Sequence, residues 1–182
     1  MTRFRPLIIL LVAIWGVEAV NVILGHGLAI WGILPRNTSG LIGIPLAPFI
    51  HGSVVHAVSN TVPLIVLGGL TLMAGRDRFW EATILIILLS GALVWVFARG
   101  AYHVGASGLI FGYFGILLAR AIFERGILSF AIAVIVVVLY GGLIWGVLPS
   151  QRHISFEAHL FGLIAGIVVA WLERRFRRTG RK

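Results

Sequence analysis

Gly105-Ala106-Ser107-Gly108 sets a serine among small residues at the head of an apolar run, 109–123. Glycine lets the backbone approach closely and take conformations that a Cβ resists. A serine at the start of a helix presents its hydroxyl and its own N–H in a first turn whose N–H groups have no intrahelical partner. A nucleophile and a donor for a developing oxyanion are what acyl transfer requires. The same motif also serves helix–helix contacts in membranes, so its meaning depends on where the other polar residues fall.

Two further constellations bear on that serine. His56 and Asn60 lie four residues apart, which places them on one face of a helix. Both can donate a side-chain hydrogen bond sideways to an oxyanion. An isolated His-x-x-x-Asn is more often interhelical glue. In the last apolar run, His159, Gly162 and Gly166 share a face, and Ala158, Gly162 and Gly166 form a small-xxx-small ladder. Gly108, Gly112, Gly115 and Ala119 offer a matching surface after Ser107. If the two surfaces pack, His159 stands beside Ser107 as a general base. A lone histidine bonded to a carbonyl would be the plainer account without that serine. No carboxylate is placed to orient His159, so the pattern reads as a dyad.

The elements that must hold these residues are membrane helices. The 182-residue chain is 59% hydrophobic and 12% charged, which excludes an ordinary soluble domain. The sequence predicts an all-α polytopic protein with one domain, 1–182, and six spans at about 7–24, 51–74, 79–98, 107–123, 127–148 and 158–172, with a basic tail at 173–182. Span two, read as starting near His51, is interrupted by Pro63. Of the fifteen Lys and Arg residues, twelve fall on one side of this alternation and three on the other. That bias puts both termini in the cytoplasm, and Ser107, His159, His56 and Asn60 in the outer halves of their spans. The net charge of +9 is thereby explained by topology and points to no nucleic acid. Without cysteine there is no disulfide, thiolate catalysis or zinc–cysteine site. The first span follows Arg3 and Arg5 without a small-x-small cleavage site and reads as retained.

Taken together, His51-x4-His56-x3-Asn60, Gly105-Ala106-Ser107-Gly108 and Ala158-His159-x2-Gly162-x3-Gly166 resemble the rhomboid intramembrane serine proteases in order, spacing and host helices. The resemblance covers nearly the whole chain and is to the minimal six-helix form. It implies that Ser107 is the nucleophile and His159 its base. The Ser107 N–H with the His56 and Asn60 side chains would form the oxyanion hole, and His51 would support the structure. It implies no metal or cofactor, and substrates that are single-pass membrane proteins cut near the outer part of their helix. Phe111 stands where some members have tyrosine; it can pack on the histidine ring but cannot donate a hydrogen bond. The approach to span two, 44–49, lacks the Trp-Arg pair of many members.

Other residues carry milder expectations. Glu18 and Asn21 should hold the first connection in place. Tyr102 and His103 precede the site as interfacial anchors or substrate contacts, and Trp145 as an interfacial residue or gate flank. His26 and His153 have no chemical case. The loop 149–157 should cap the site. The expected setting is the lipid bilayer of a prokaryotic plasma membrane, with oligomeric state open. Two rivals remain: a non-catalytic rhomboid-like protein that binds membrane clients, and a haem-binding or proton-coupled carrier.

Overall fold

The computed structural model of the protein describes residues 2–148 and 155–179. Among them are six helices long and apolar enough to cross a membrane. They are α1 (Arg5–Ile23), α2 (Val54–Leu72), α3 (Arg76–Phe97), α4 (Ser107–Glu124), α5 (Ile127–Tyr140, carried on by 3₁₀ turns over Gly141–Val147) and α6 (Phe156–Thr179). The protein is an all-α integral membrane bundle, as its composition requires.

α4 is the axis of the bundle. Within its span 61% of the residues are buried, against 33% in α1 and α2, 39% in α3 and α6, and 11% in α5. Its small residues explain this position. A Cβ on Gly162 or Gly166 of α6 would run into the backbone of Gly108 or of Gly112 and Ile116, and Gly115 of α4 faces the Leu163 carbonyl. The two backbones therefore touch along both ladders, close contact of the kind that drives helix association in lipid. Around them Leu10, Leu67, Phe79, Ile86, Tyr113, Ile116, Val136 and Val169 form one buried cluster drawn from all six helices. Inside it the Tyr113 hydroxyl and Thr83 Oγ1 share a 2.7 Å hydrogen bond, and Thr83 Oγ1 donates to the Phe79 carbonyl at 2.6 Å. At the end of the bundle away from Ser107, Arg120 meets Glu173 with two bonds, 3.0 and 2.7 Å. Such bidentate pairing makes a partly buried ion pair geometrically specific.

Three features differ from the sequence expectation. His51 lies before α2 rather than on it, because Ser53 adopts an extended N-cap conformation and its Oγ accepts the His56 N–H at 3.1 Å. α2 continues through Pro63. α6 runs to Thr179, through most of the basic stretch, where Arg174 sits over Phe123 and Arg175 over Trp171. The link between α3 and α4, 99–104, is pinned by an isolated antiparallel bridge between His103 and Ile33. The first connection holds short helical turns over Gly27–Trp31, Thr38–Ile42, Gly43–Leu46 and Ala47–Phe49. Buried Glu18 and Asn21 tie it down as expected: Asn21 Nδ2 donates to the His51 carbonyl at 2.7 Å, Asn21 Oδ1 accepts the Leu28 N–H at 3.0 Å, and Glu18 meets His26 at 3.2 Å.

Candidate active site

Ser107 is the first residue of α4, with Ala106 before it as the cap residue. Its N–H thus belongs to the unsatisfied first turn. Gly105 has φ +114°, a conformation open to glycine at little cost, and this turns the chain sharply into α4. A Cβ at Gly105 would also strike the His56 ring, 2.6 Å from Cε1, and stand 3.6 Å from Asn60 Nδ2. The glycine is needed twice, for its torsion and for room beneath two side chains of α2. The turn is held from behind, since the Gly105 N–H donates to the Ala47 carbonyl at 2.8 Å.

Ser107, His56 and His159 line one cavity of about 470 Å³, together with Ser53, Tyr102, His103 and Ser155. The Asn60 amide nitrogen is buried beside it and has no hydrogen-bond partner among the described residues. An unsatisfied buried donor costs free energy and invites a functional reason. His159 lies flat on Phe111, ring centroids 4.1 Å apart and planes 5° from parallel. Its Nδ1 lies 2.8 Å from the Gly146 carbonyl. A carbonyl only accepts, so Nδ1 bears the proton and Nε2 keeps its lone pair. Gly146 is tightly fitted there: a Cβ would come 2.8 Å from Phe111 Cζ and 3.1 Å from His159 Nδ1. No hydrogen bond joins Ser107 to His159 among the described residues. Gly108, Gly162 and Gly166 supply the close α4–α6 contact that brings the two side chains to one cavity.

His51 packs edge-on against His56, centroids 5.0 Å apart, and its Nε2 accepts the Ala106 N–H at 3.3 Å. It therefore touches both the turn and the α2 histidine. The accepting role fixes the proton on Nδ1. Burial first, and then the neighbouring His56, lower its pKa to about 4, against a smaller opposing pull from the Phe49 carbonyl. Because the folded value lies below the unfolded one, the unfolded chain binds more protons between about pH 6.5 and pH 4, and stability falls as pH drops through that window. Acidification across it should cost about 3 kcal/mol. Thermal unfolding of the solubilised protein should lose stability faster on acidification than a His51→Gln variant; equal pH slopes would remove His51 as the cause.

The structure also reveals what the sequence reading missed. His103, expected as an interfacial anchor or a substrate contact, lines the cavity but is only 3% exposed, and it bonds Ser155 Oγ at 2.6 Å and the Arg99 carbonyl at 3.0 Å. Burial lowers its pKa, favouring the neutral ring. His26 proves to be the partner of Glu18. Residues 149–154, most of the expected cap loop and including His153, lie outside the described residues. Trp145 is exposed beside Gly146. No cluster of three or more His, Cys, Asp or Glu side chains suited to a metal occurs among the described residues.

Comparison with known proteins gives a consistent picture. The Rhomboid domain family matches residues 38–176. The uncharacterised protein Mb1372 of Mycobacterium bovis is 37% identical over 178 residues, 91% of this chain and 74% of its own length. ML1171 of Mycobacterium leprae, also uncharacterised, is 36% identical over 165 residues, 86% of this chain and 65% of its own. YdcA of Bacillus subtilis, provisionally named a rhomboid protease, is 30% identical over 143 residues, 70% of this chain and 67% of its own. With the family match spanning most of the chain and the bundle built around the Gly105–Ser107 turn, the chain belongs to the rhomboid family.

Proposed function

We propose that the protein is an intramembrane serine endopeptidase acting on single-pass membrane proteins through a Ser107–His159 dyad. The observation that carries this reading is one cavity lined by Ser107 at a helix N-terminus, a histidine with a free Nε2, and a second histidine above an unpartnered amide. Ser107 Oγ attacks the scissile carbonyl carbon while its proton passes to His159 Nε2. The hydrogen bond between Ser107 and His159 forms once substrate is bound, since catalytic hydrogen bonds in ligand-free enzymes are often long or poorly aligned. The Gly146 carbonyl holds the Nδ1 proton and stabilises the imidazolium. The Ser107 N–H, Asn60 Nδ2 and the His56 ring receive the negative oxygen. His159 returns its proton to the leaving amine, leaving an acyl-enzyme on Ser107. Water, activated by the same ring, then releases the second product.

A cavity of about 470 Å³ holds several waters at about 30 Å³ each, so hydrolysis has its reagent at hand. The substrate helix must unwind before its shielded amide can be attacked, which favours helices weakened by Gly, Pro or polar residues near the cut. The positive-inside bias supports cytoplasmic termini and a site opening to the outer side of a plasma membrane. The neighbouring bilayer is the route by which substrate arrives.

The test is cleavage of a labelled single-span protein by the protein reconstituted in liposomes, with a fluorophosphonate probe of serine reactivity in parallel. Cleavage and labelling support the reading. A folded protein that does neither would instead be a client-binding relative. Within the assay, Asn60→Ala should lower kcat on the order of 100- to 1000-fold while leaving probe access intact. An unchanged kcat would remove Asn60 from the oxyanion site.

A further inference from the structure

Three contacts tie the segment that leads into Ser107 to the first turn of α6. The Arg99 N–H donates to Glu157 Oε1 at 3.4 Å, the Arg99 guanidinium meets the same oxygen at 3.5 Å, and the His103 ring meets Ser155 Oγ at 2.6 Å. The direction of the last bond follows from its neighbours. The Arg99 carbonyl, 3.0 Å from His103 Nε2, can only accept, so that nitrogen holds the proton and Nδ1 accepts from the Ser155 hydroxyl. Ser155 Oγ in turn accepts the Ala158 N–H at 3.1 Å, capping the helix one residue before His159. His103 itself is fixed by its paired backbone bonds to Ile33, at 3.0 and 2.9 Å. A rigid, buried ring thus stands four residues before the nucleophile and grips the helix end that bears the base. All four residues, His103, Ser107, Ser155 and His159, line the same cavity.

We propose that His103 is a positioning residue of this site: its ring clasps the N-terminus of α6 through Ser155 and so sets the separation between Ser107 and His159. The proposal rests on the reading of those two residues as nucleophile and base, but the clasp can be observed without turnover. The α4–α6 glycine ladder fixes how closely the helices approach, and the contacts to Glu157 and Ser155 act on the first α6 turn itself. The histidine adds its hold at the helix end next to the base, where displacement of a reacting group by about 1 Å can cost on the order of 100-fold in rate.

Two half-replacements separate the bonds. His103→Asn keeps an acceptor where Nδ1 stands, and His103→Gln keeps a donor where Nε2 stands. We expect His103→Ala and His103→Gln to lower kcat by about 10- to 100-fold with KM changed less than about threefold, and His103→Asn to stay within about threefold of wild type. Hydrogen-exchange protection of the Ala158 amide should fall in the Ala and Gln variants and persist in the Asn variant. Full kcat in His103→Ala, equal rescue by Gln and Asn, or unchanged Ala158 protection in all three would each overturn the clasp. An inactive wild-type protein would count against the proteolytic reading, and the exchange pattern would then decide the clasp alone.

Discussion

Ser107→Ala should abolish cleavage of a reconstituted single-span substrate, by about 10⁶-fold if the serine works as nucleophiles do in soluble serine hydrolases. The variant should fold as well as wild type. Ser107 occupies the first position of α4, where alanine is a good helix former and where the hydroxyl makes no hydrogen bond to any described residue. Thermal unfolding measured beside the cleavage assay separates loss of chemistry from loss of structure. His159→Ala should fall nearly as far, because Ser107 then has no acceptor for its proton, and the double variant should be little worse than either alone. Additive losses would mean that the two residues do not work as a unit. Residual cleavage in the serine variant comparable with wild type would assign the chemistry elsewhere. The fluorophosphonate probe gives a second reading of the same claim: labelling should vanish in Ser107→Ala and drop steeply in His159→Ala.

Much of this architecture was legible because a bilayer leaves few choices. Every backbone polar group in lipid must be satisfied within a helix, so apolar runs of suitable length announce the spans. Polar residues within those runs are costly enough to mark a candidate site, which is how His56, Asn60 and His159 stand out from chemistry alone. The glycine ladders were readable for a related reason: spacing by three and four residues fixes which backbones touch. What escaped sequence reasoning was local and outside the helices. The start of α2 at Val54 depends on one serine adopting an extended cap torsion, and nothing in the periodicity distinguishes Ser53 from its neighbours. His103 is the clearer case. Its burial arises because the chain at 99–104 folds back to pair with Ile33, a contact across seventy positions that no pattern within either segment announces. The Gly146 carbonyl that orients His159 is likewise invisible, since any residue supplies a carbonyl and only the fold decides which one arrives.

Gly166→Ala should destabilise the protein by about 1–3 kcal/mol, the usual cost of forcing a methyl group into a closed contact, and should also slow the chemistry. The new Cβ would meet the Gly112 carbonyl oxygen and carbon and the Ile116 nitrogen, all backbone atoms of α4 that cannot rotate aside. Relief requires the two most intimately packed helices to separate or slide. That movement carries His159, seven residues along the same face of α6, away from Ser107. Stability and probe reactivity should therefore fall together, whereas Ser107→Ala loses reactivity alone. Gly16→Ala is the matched control. Gly16 lies within α1, no described atom beyond its own stretch of helix stands within 4 Å of an added Cβ, and alanine is favoured over glycine in a helix by about 1 kcal/mol. The control should be neutral or mildly stabilising under the same unfolding conditions. Indistinguishable stability of the two variants would mean that α4 and α6 do not approach through Gly166. The base would then have to reach the serine by another arrangement of the bundle. A larger residue, as in Gly166→Leu, should prevent assembly, and its failure alongside a tolerated Gly16→Leu would locate the sensitivity in that one contact.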